Sequence, residues 1–263
     1  NSMNEARTQL SGAGTQTQSI AIAGYNDSNS NTAKTESYDG VSWTEVNDVN
    51  TARRDGAANG TYTSALTYGG NNEATETESW NGTSWTEVND LNTGRRSVGG
   101  AGVDNTSALA FGGDPTTANT ETWNGSSWTE VNNFNQARSR VGGFGTNTSA
   151  LAFGDYNPST GHVAKTESWN GTSWTEVNDL NTGRGYSGSD GPNNTSGLAI
   201  GGETSPGTEK ANTELWNGTS WTEDGDLNTA KLALAGTGTT SSALAFGGAN
   251  PPSAELATTE EWT

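Results

Sequence analysis

Thr77–Arg95 reads TESWNGTSWTEVNDLNTGR, and the same letters return at Thr166–Arg184. Looser copies begin at Thr35, Thr120 and Thr213, and a cut-off copy closes the sequence at Glu260-Glu261-Trp262-Thr263. A stretch that recurs in this way is one unit of an array whose copies bury each other's apolar faces. Aligned on the basic residue that ends each copy, the units fall at Arg7, Arg53, Arg95, Arg138, Arg184 and Lys231, in steps of 46, 42, 43, 46 and 47 residues.

Every unit has the same internal order. A Gly-rich run follows the cation (Val98-Gly99-Gly100-Ala101-Gly102-Val103), then a small apolar run (Ser107-Ala108-Leu109-Ala110-Phe111) ending in Gly112-Gly113. A loop leads to Glu-x-Trp (Glu121, Trp123), Asn124-Gly125 makes a turn, and Trp128-Thr129-Glu130-Val131 follows. The runs are short and bounded by Gly, Asn and Asp, which is strand and turn chemistry. Asn-Gly between two aromatic-bearing runs predicts a hairpin, with both turn residues tolerant of positive φ. Each unit therefore reads as four antiparallel strands, A to D. Gly and Ala suit the crowded hub of a ring, and the Trp residues of C and D suit the wider space between neighbouring sheets. Six such sheets arranged radially make an all-β, six-bladed β-propeller in a single domain spanning 1–263.

The resemblance is to the kelch repeat. Glu36-Ser37-Tyr38-Asp39-Gly40-x-x-Trp43, then Asn50-Thr51-Ala52-Arg53, then a small-residue strand and Gly69-Gly70, is similar to the kelch pattern. The order double glycine, Tyr or Trp, Trp, Arg runs through the whole chain, with departures at Ala23-Gly24, Gly154-Asp155 and Lys231 and with Trp for Tyr in five units. The resemblance implies the kelch-like propeller already read from the strands. At the ends, residues 1 to 6 align with Asn47 to Ala52, the tail of a D strand, while Thr263 lies in a C strand. The sixth blade is thus expected to lack most of its outer strand in this chain. A few residues upstream of Asn1, or a longer parent chain or assembly, would supply it.

Composition bounds the partners. Twelve cations against thirty anions give a net charge of −18. Nucleic acid is therefore excluded as a partner, because its binding needs Lys and Arg to neutralise phosphates. An anionic membrane surface is disfavoured for the same reason, and no window is long and apolar enough for a transmembrane helix. The chain has no cysteine, hence no disulfide, thiolate nucleophile or Cys-bearing zinc site. No cofactor or metal is expected. Abundant Asn, Thr, Ser and Gly with few Lys point to an extracellular or virion surface. Asn-x-Thr/Ser triplets at Asn81, Asn105, Asn124, Asn147, Asn170, Asn194 and Asn217 match N-glycosylation acceptors of a eukaryotic secretory pathway, but Thr/Ser-rich turns also produce them, and that is the simpler reading.

Variation within the repeat locates a site. Spacings through strands C and D are constant, whereas the B–C loop has 11, 7, 7, 11, 11 and 11 residues and unrelated sequence in each unit. The other variable positions follow the cation directly: Thr8-Gln9, Arg54-Asp55, Arg96-Ser97, Ser139-Arg140, Gly185-Tyr186 and Leu232-Ala233. In an up-and-down sheet both sets emerge on one face, and all twelve cations map there too. The near-identical Asn-Gly-Thr-Ser turns occupy the other face. Loops on a rigid scaffold commonly carry function. The expected ligand-binding residues are Arg54, Asp55, Arg96, Ser97, Arg140, Tyr186, Tyr25, Tyr156 and His162, facing a glycan or protein ligand with a carboxylate or phosphate near the channel mouth. The ladder cations read as structural, each paired with the Glu of a Glu-x-Trp.

Catalysis has little to build on. His162 is the only histidine, and it falls in a B–C loop. No Ser–His–carboxylate set is identifiable, and the Tyr–Cys pair with two His of the kelch-like copper oxidases cannot be assembled. Ser37-Tyr38-Asp39-Gly40-Val41-Ser42-Trp43 resembles the sialidase Ser-x-Asp-x-Gly-x-x-Trp turn but is one residue short between Asp and Gly. A sialidase-like hydrolase using Asp27, Glu73, Asp114, Asp155 or Glu203 is the alternative, requiring two facing carboxyls about 5–9.5 Å apart. A structural spacer in a larger fibre or particle is the third reading. The expectation is a recognition propeller with no catalytic residues.

Overall fold

The computed structural model describes residues 1–157, 161–251 and 255–262. Parts of the fourth and sixth B–C loops, and Thr263, lie outside the described residues. The short strand β1 (Arg7–Thr8) leads into blade 1: β2 (Ser11–Thr15), β3 (Gln18–Asn26), β4 (Ser30–Tyr38) and β5 (Trp43–Val46). Blade 2 is β6 (Ala57–Thr61), β7 (Ser64–Tyr68), β8 (Thr77–Trp80) and β9 (Trp85–Val88). Blade 3 is β10 (Gly99–Asp104), β11 (Ser107–Phe111), β12 (Thr120–Trp123) and β13 (Trp128–Val131). Blade 4 is β14 (Gly142–Thr146), β15 (Ser149–Asn157), β16 (Gly161–Trp169) and β17 (Trp174–Val177). Blade 5 is β18 (Gly188–Asn193), β19 (Ser196–Ile200), β20 (Thr213–Trp216) and β21 (Trp221–Asp224). Blade 6 has three strands, β22 (Ala235–Thr239), β23 (Ser242–Phe246) and β24 (Thr259–Trp262).

Every pairing is antiparallel and, apart from β1, which pairs with the far end of β3, sequential, A to B to C to D, which gives a six-bladed propeller with the A strands around the axis. The ring closes where β22 packs on β2. Met3 contributes to closure: its N–H donates to Ala257 O at 2.8 Å, the bond that Leu91 makes to Thr75 O at 3.0 Å and Phe134 to Ala118 O at 3.0 Å in other blades. The N-terminal residues therefore occupy the D-strand tail position of blade 6, as their alignment with Asn47 to Ala52 requires.

The core lies between blades. Nine of the ten Trp are buried and Trp262 is half-buried. Within a blade the C and D aromatics touch: Trp80 and Trp85 centroids are 5.2 Å apart, Trp123 and Trp128 5.5 Å. Each polar end is satisfied separately, as buried indoles require. Trp123 Nε1 donates to Asn105 O of its own A–B turn at 3.0 Å, and Trp128 Nε1 donates to Thr77 Oγ1 of the preceding blade at 3.1 Å. Small A-strand residues let adjacent blades approach: a Cβ on Gly143 would lie 2.3 Å from Phe111 Cζ of the neighbouring blade.

Two local expectations are corrected. The Asn-Gly hairpins are four-residue turns in which only the Gly has positive φ (Gly82, +90°). Asn81 instead accepts the Thr83 and Ser84 N–H groups on Oδ1, both at 2.9 Å, an Asx turn that fixes the loop by side-chain bonding. The B–C connections of blades 1 and 4 are not loops throughout, for β3 with β4 and β15 with β16 continue as bulged hairpins. In both, the bulge falls at the position of the broken double glycine (Ile22/Gly24 and Phe153/Asp155), and pairing resumes beyond it.

Candidate binding site at the channel mouth

Six ion pairs support the site from behind. Each ladder cation follows the D strand of one blade and reaches the C-strand Glu of the next: Arg53–Glu78 (2.6 Å), Arg95–Glu121 (3.0 Å), Arg138–Glu167 (2.9 Å), Arg184–Glu214, Lys231–Glu260 (3.0 Å), and Arg7–Glu36 (2.7 Å) at the closure. The second carboxylate oxygen takes two bonds from one Asn, as when Asn92 N and Nδ2 both donate to Glu121 Oε2 at 2.8 Å. Burial pulls the Arg95 guanidinium below its ordinary pKa, and Glu121 opposes the shift. The ladder is thus an internal brace rather than part of an exposed basic face. Lys34 and Lys165 are also away from the mouth, paired with the D-strand residues Glu45 (3.2 Å) and Glu176 on the outer flank. The expectation that all twelve cations mark one face is corrected accordingly, because six are consumed inside blade joins.

Two residues beyond each cation, the backbone forms a closed ring. Asp55 N–H donates to Gln9 O (3.0 Å), Ser97 to Asp55 O (2.7 Å), Arg140 to Ser97 O (3.1 Å), Tyr186 to Arg140 O (3.4 Å), Ala233 to Tyr186 O (2.8 Å) and Gln9 to Ala233 O (2.9 Å). All six residues are left-handed, with φ of +54°, +58°, +50°, +58°, +55° and +53° for Gln9, Asp55, Ser97, Arg140, Tyr186 and Ala233. That conformation costs about 1–2 kcal/mol per non-glycine residue, and closure of the ring holds it in place. None of the six is Gly or Asn, so the sequence carried no signal of it. The preceding residue in each connection pairs with the start of the B–C segment, as in Arg96↔Asp114 and Ser139↔Tyr156. Both variable segments therefore do share one face.

The ring side chains define a cavity of about 250 Å³ lined by Gln9, Arg54, Asp55, Arg96, Ser97, Asp114, Thr116, Ser139, Arg140, Tyr156 and Tyr186. Seven of the nine sequence-derived site residues line it. The other two stand one layer behind. Tyr25 lies under the Arg54 guanidinium, 4.3 Å from Cζ to ring centroid. His162 is in strand β16 rather than a loop; its side chain is buried, with Nε2 3.3 Å from Glu203 and the ring 5.4 Å from Tyr156. Arg140 is held between Tyr156 and Tyr186, 4.4 Å from each ring, and approaches Glu203 at 3.5 Å. Arg96 pairs with Asp114 at 2.6 Å. Gln9 Nε2 donates to both oxygens of Asp55 at 2.8 and 2.9 Å. Burial raises the Asp55 carboxyl, against the pull of Arg54, Arg96 and Arg140. Burial and the Asp55 charge raise the Tyr186 phenol, which hydrogen-bonds Ser97.

The cavity opens onto an axial channel lined by Gly, Ala and Ser of the A strands, and Tyr186 and Arg140 border both. One channel residue escaped the sequence reading. Asp190 stands where the other blades have Ala13, Asn59, Ala101, Phe144 and Thr237. Burial holds its carboxyl well above the usual carboxylate range, against one bond from Gly191 N–H at 2.7 Å.

Three of the five candidate loop-face carboxylates already stand against a neighbour. Asp114 serves Arg96, Glu203 lies between Arg140 and His162, and Asp27 shares a hydrogen bond with Glu255 at the exposed rim. Among the described residues no helix is long and apolar enough to cross a membrane. No protein-family model matches the chain, and no curated protein matches it significantly in sequence.

Proposed function

We propose that the protein is a non-enzymatic recognition propeller of the kelch type, displayed outside the cell or on a virion, that holds a saccharide at its B–C loop face. One observation carries the reading: the residues that break the repeat converge on a single rim cavity, Arg54, Asp55, Arg96, Ser97, Arg140, Tyr156 and Tyr186 among its lining. In an array of near-duplicate units, divergence that gathers at one rim is what selection for a ligand would leave. The lining mixes charged donors, carboxylate acceptors and hydroxyls, the chemistry that grips sugar hydroxyls. The hydrolase reading has less support, because Asp114 is bonded to Arg96 and Glu203 stands within ion-pair reach of Arg140 and His162.

A glycan array read in parallel with a pull-down tests the proposal. Selective glycan binding that is weakened in Arg54→Ala/Arg96→Ala/Arg140→Ala supports it. Equal binding by wild type and the triple variant removes the rim from the function, and a protein captured while the array stays blank moves the reading to protein recognition.

A further inference from the structure

We infer that Arg54 and Arg140 form a seat for one monovalent oxyanion, the carboxylate or sulfate ester of an acidic sugar. This rests on the recognition reading above and narrows it to a ligand class.

The cations of the chain can be sorted by what they already hold. Six are closed into buried pairs, Lys34 and Lys165 serve the outer flank, Lys210 lies in a B–C loop outside the cavity lining, and Arg96 spends Nε and Nη2 on Asp114 at 2.7 and 2.6 Å. Arg54 and Arg140 differ. Each is stacked on tyrosine, Arg54 on Tyr25 and Arg140 between Tyr156 and Tyr186. Among the described residues neither guanidinium makes a hydrogen bond to a protein acceptor within normal distance, and Arg54 Nε is buried with none. Stacking fixes the guanidinium plane and leaves its N–H edge free, the geometry that matches a planar or tetrahedral oxyanion. Buried charged donors without acceptors are costly, so an incoming group that supplies two oxygens is favoured over one that supplies a single hydroxyl.

The lining also limits the charge of the ligand. Arg54, Arg96 and Arg140 are set against Asp55, Asp114 and, 3.5 Å from Arg140, Glu203, so the site carries no excess positive charge. A single added negative charge is therefore the most it accepts, held by the guanidinium edges rather than by net charge. A dianionic phosphate would repel Asp55, which sits in the same cavity with both oxygens held by Gln9. A volume of about 250 Å³ admits one sugar residue. Ser97, Ser139, Thr116 and the Asp55 carboxylate then stand where ring hydroxyls would need donors and acceptors.

The test is calorimetric titration with four probes: 3′-sialyllactose, a glucuronic-acid-terminated disaccharide, lactose 3′-sulfate and neutral lactose. Wild type, Arg54→Gln, Arg140→Gln, Arg140→Lys and the outer-flank control Lys165→Gln are compared, and a thermal melt confirms that each is folded. The expected result is at least about tenfold tighter binding of an acidic probe than of lactose, the difference that one charge-assisted bond supplies. The same loss is expected in both Gln variants, with Lys165→Gln unchanged. Arg140→Lys should recover little, since lysine keeps the charge but not the stacked fork. A response to the sialyl and glucuronyl probes alone assigns a carboxylate, and to the sulfated probe alone a sulfate ester. Lactose bound as tightly as the acidic probes, or acidic-probe affinity untouched in folded Gln variants, overturns the seat and leaves saccharide recognition standing. No binding of any probe, together with a blank glycan array, overturns both.

Discussion

Arg95, at the end of one blade, donates through Nη2 to Glu121 Oε1 of the next blade at 3.0 Å, and both side chains are fully buried. The same pair recurs at all six joins, five times with arginine and once with Lys231. A buried pair of this kind is hard to break from one side, because the remaining partner becomes an uncompensated charge. Glu121→Gln is therefore expected to cost about 3–5 kcal/mol in unfolding free energy. Lys34→Ala, which breaks an exposed pair, should leave the denaturation midpoint unmoved. Chemical denaturation of the two variants beside wild type checks the contrast.

Thr120 and Thr213 occupy equivalent C-strand positions in blades 3 and 5. Thr120 Oγ1 accepts Trp174 Nε1 from the following blade at 3.1 Å, whereas the buried Thr213 Oγ1 has no partner among the described residues. The reason is the three-stranded sixth blade, which offers no D-strand Trp there. Thr120→Val should cost about 1–3 kcal/mol, since it strands a buried indole donor. Thr213→Val should be neutral or mildly stabilising, because it deletes an unmade bond. Equal losses in thermal unfolding would show that the indole bond is not what Thr120 contributes.

The left-handed ring at the mouth stores strain that glycine would relieve. Ala233 has φ of +53° and a side chain with no polar role. Ala233→Gly is expected to raise stability by about 0.5–1 kcal/mol, and Ala233→Val to lower it, since a β-branched residue resists that backbone more strongly. The pair is read by melting temperature. Destabilisation by glycine would mean that the ring bears no backbone strain at this position.

Asp155 is 2% exposed, and burial raises its carboxyl to about 6 against the pull of Arg138 and His162. An unfolded aspartate titrates near about 3.9. Between these values the folded chain keeps a proton that the unfolded chain has lost, so stability falls as pH rises from about 4 to 6. The loss is on the order of 2 kcal/mol. Asp155→Asn should flatten that part of the stability–pH curve. A slope unchanged in the variant would assign it to other groups, among them Asp190, whose carboxyl is raised in the same sense.

Much of this protein was legible from the repeat. Gly- and Ala-rich runs, Glu-x-Trp and the constant ten-residue step from Trp to cation prescribed six sheets, buried indoles and the Arg–Glu brace, because strand, turn and burial preferences act locally and recur in every unit. Positions that broke the repeat, such as Arg54, Arg140 and Tyr186, also told which face to inspect. Other features were settled only when the ring closed. Gln9, Asp55 and Ser97 are more than forty residues apart in sequence, yet each backbone bonds the next, and nothing in their identities announces a left-handed residue. His162 read as a loop residue until two bulged strands carried it into the blade, and only the tertiary structure set Arg140 between Tyr156 and Tyr186. Local chemistry chooses the strand and the turn. Which side chains face one another across the axis is fixed by closure, and that depends on all six units at once.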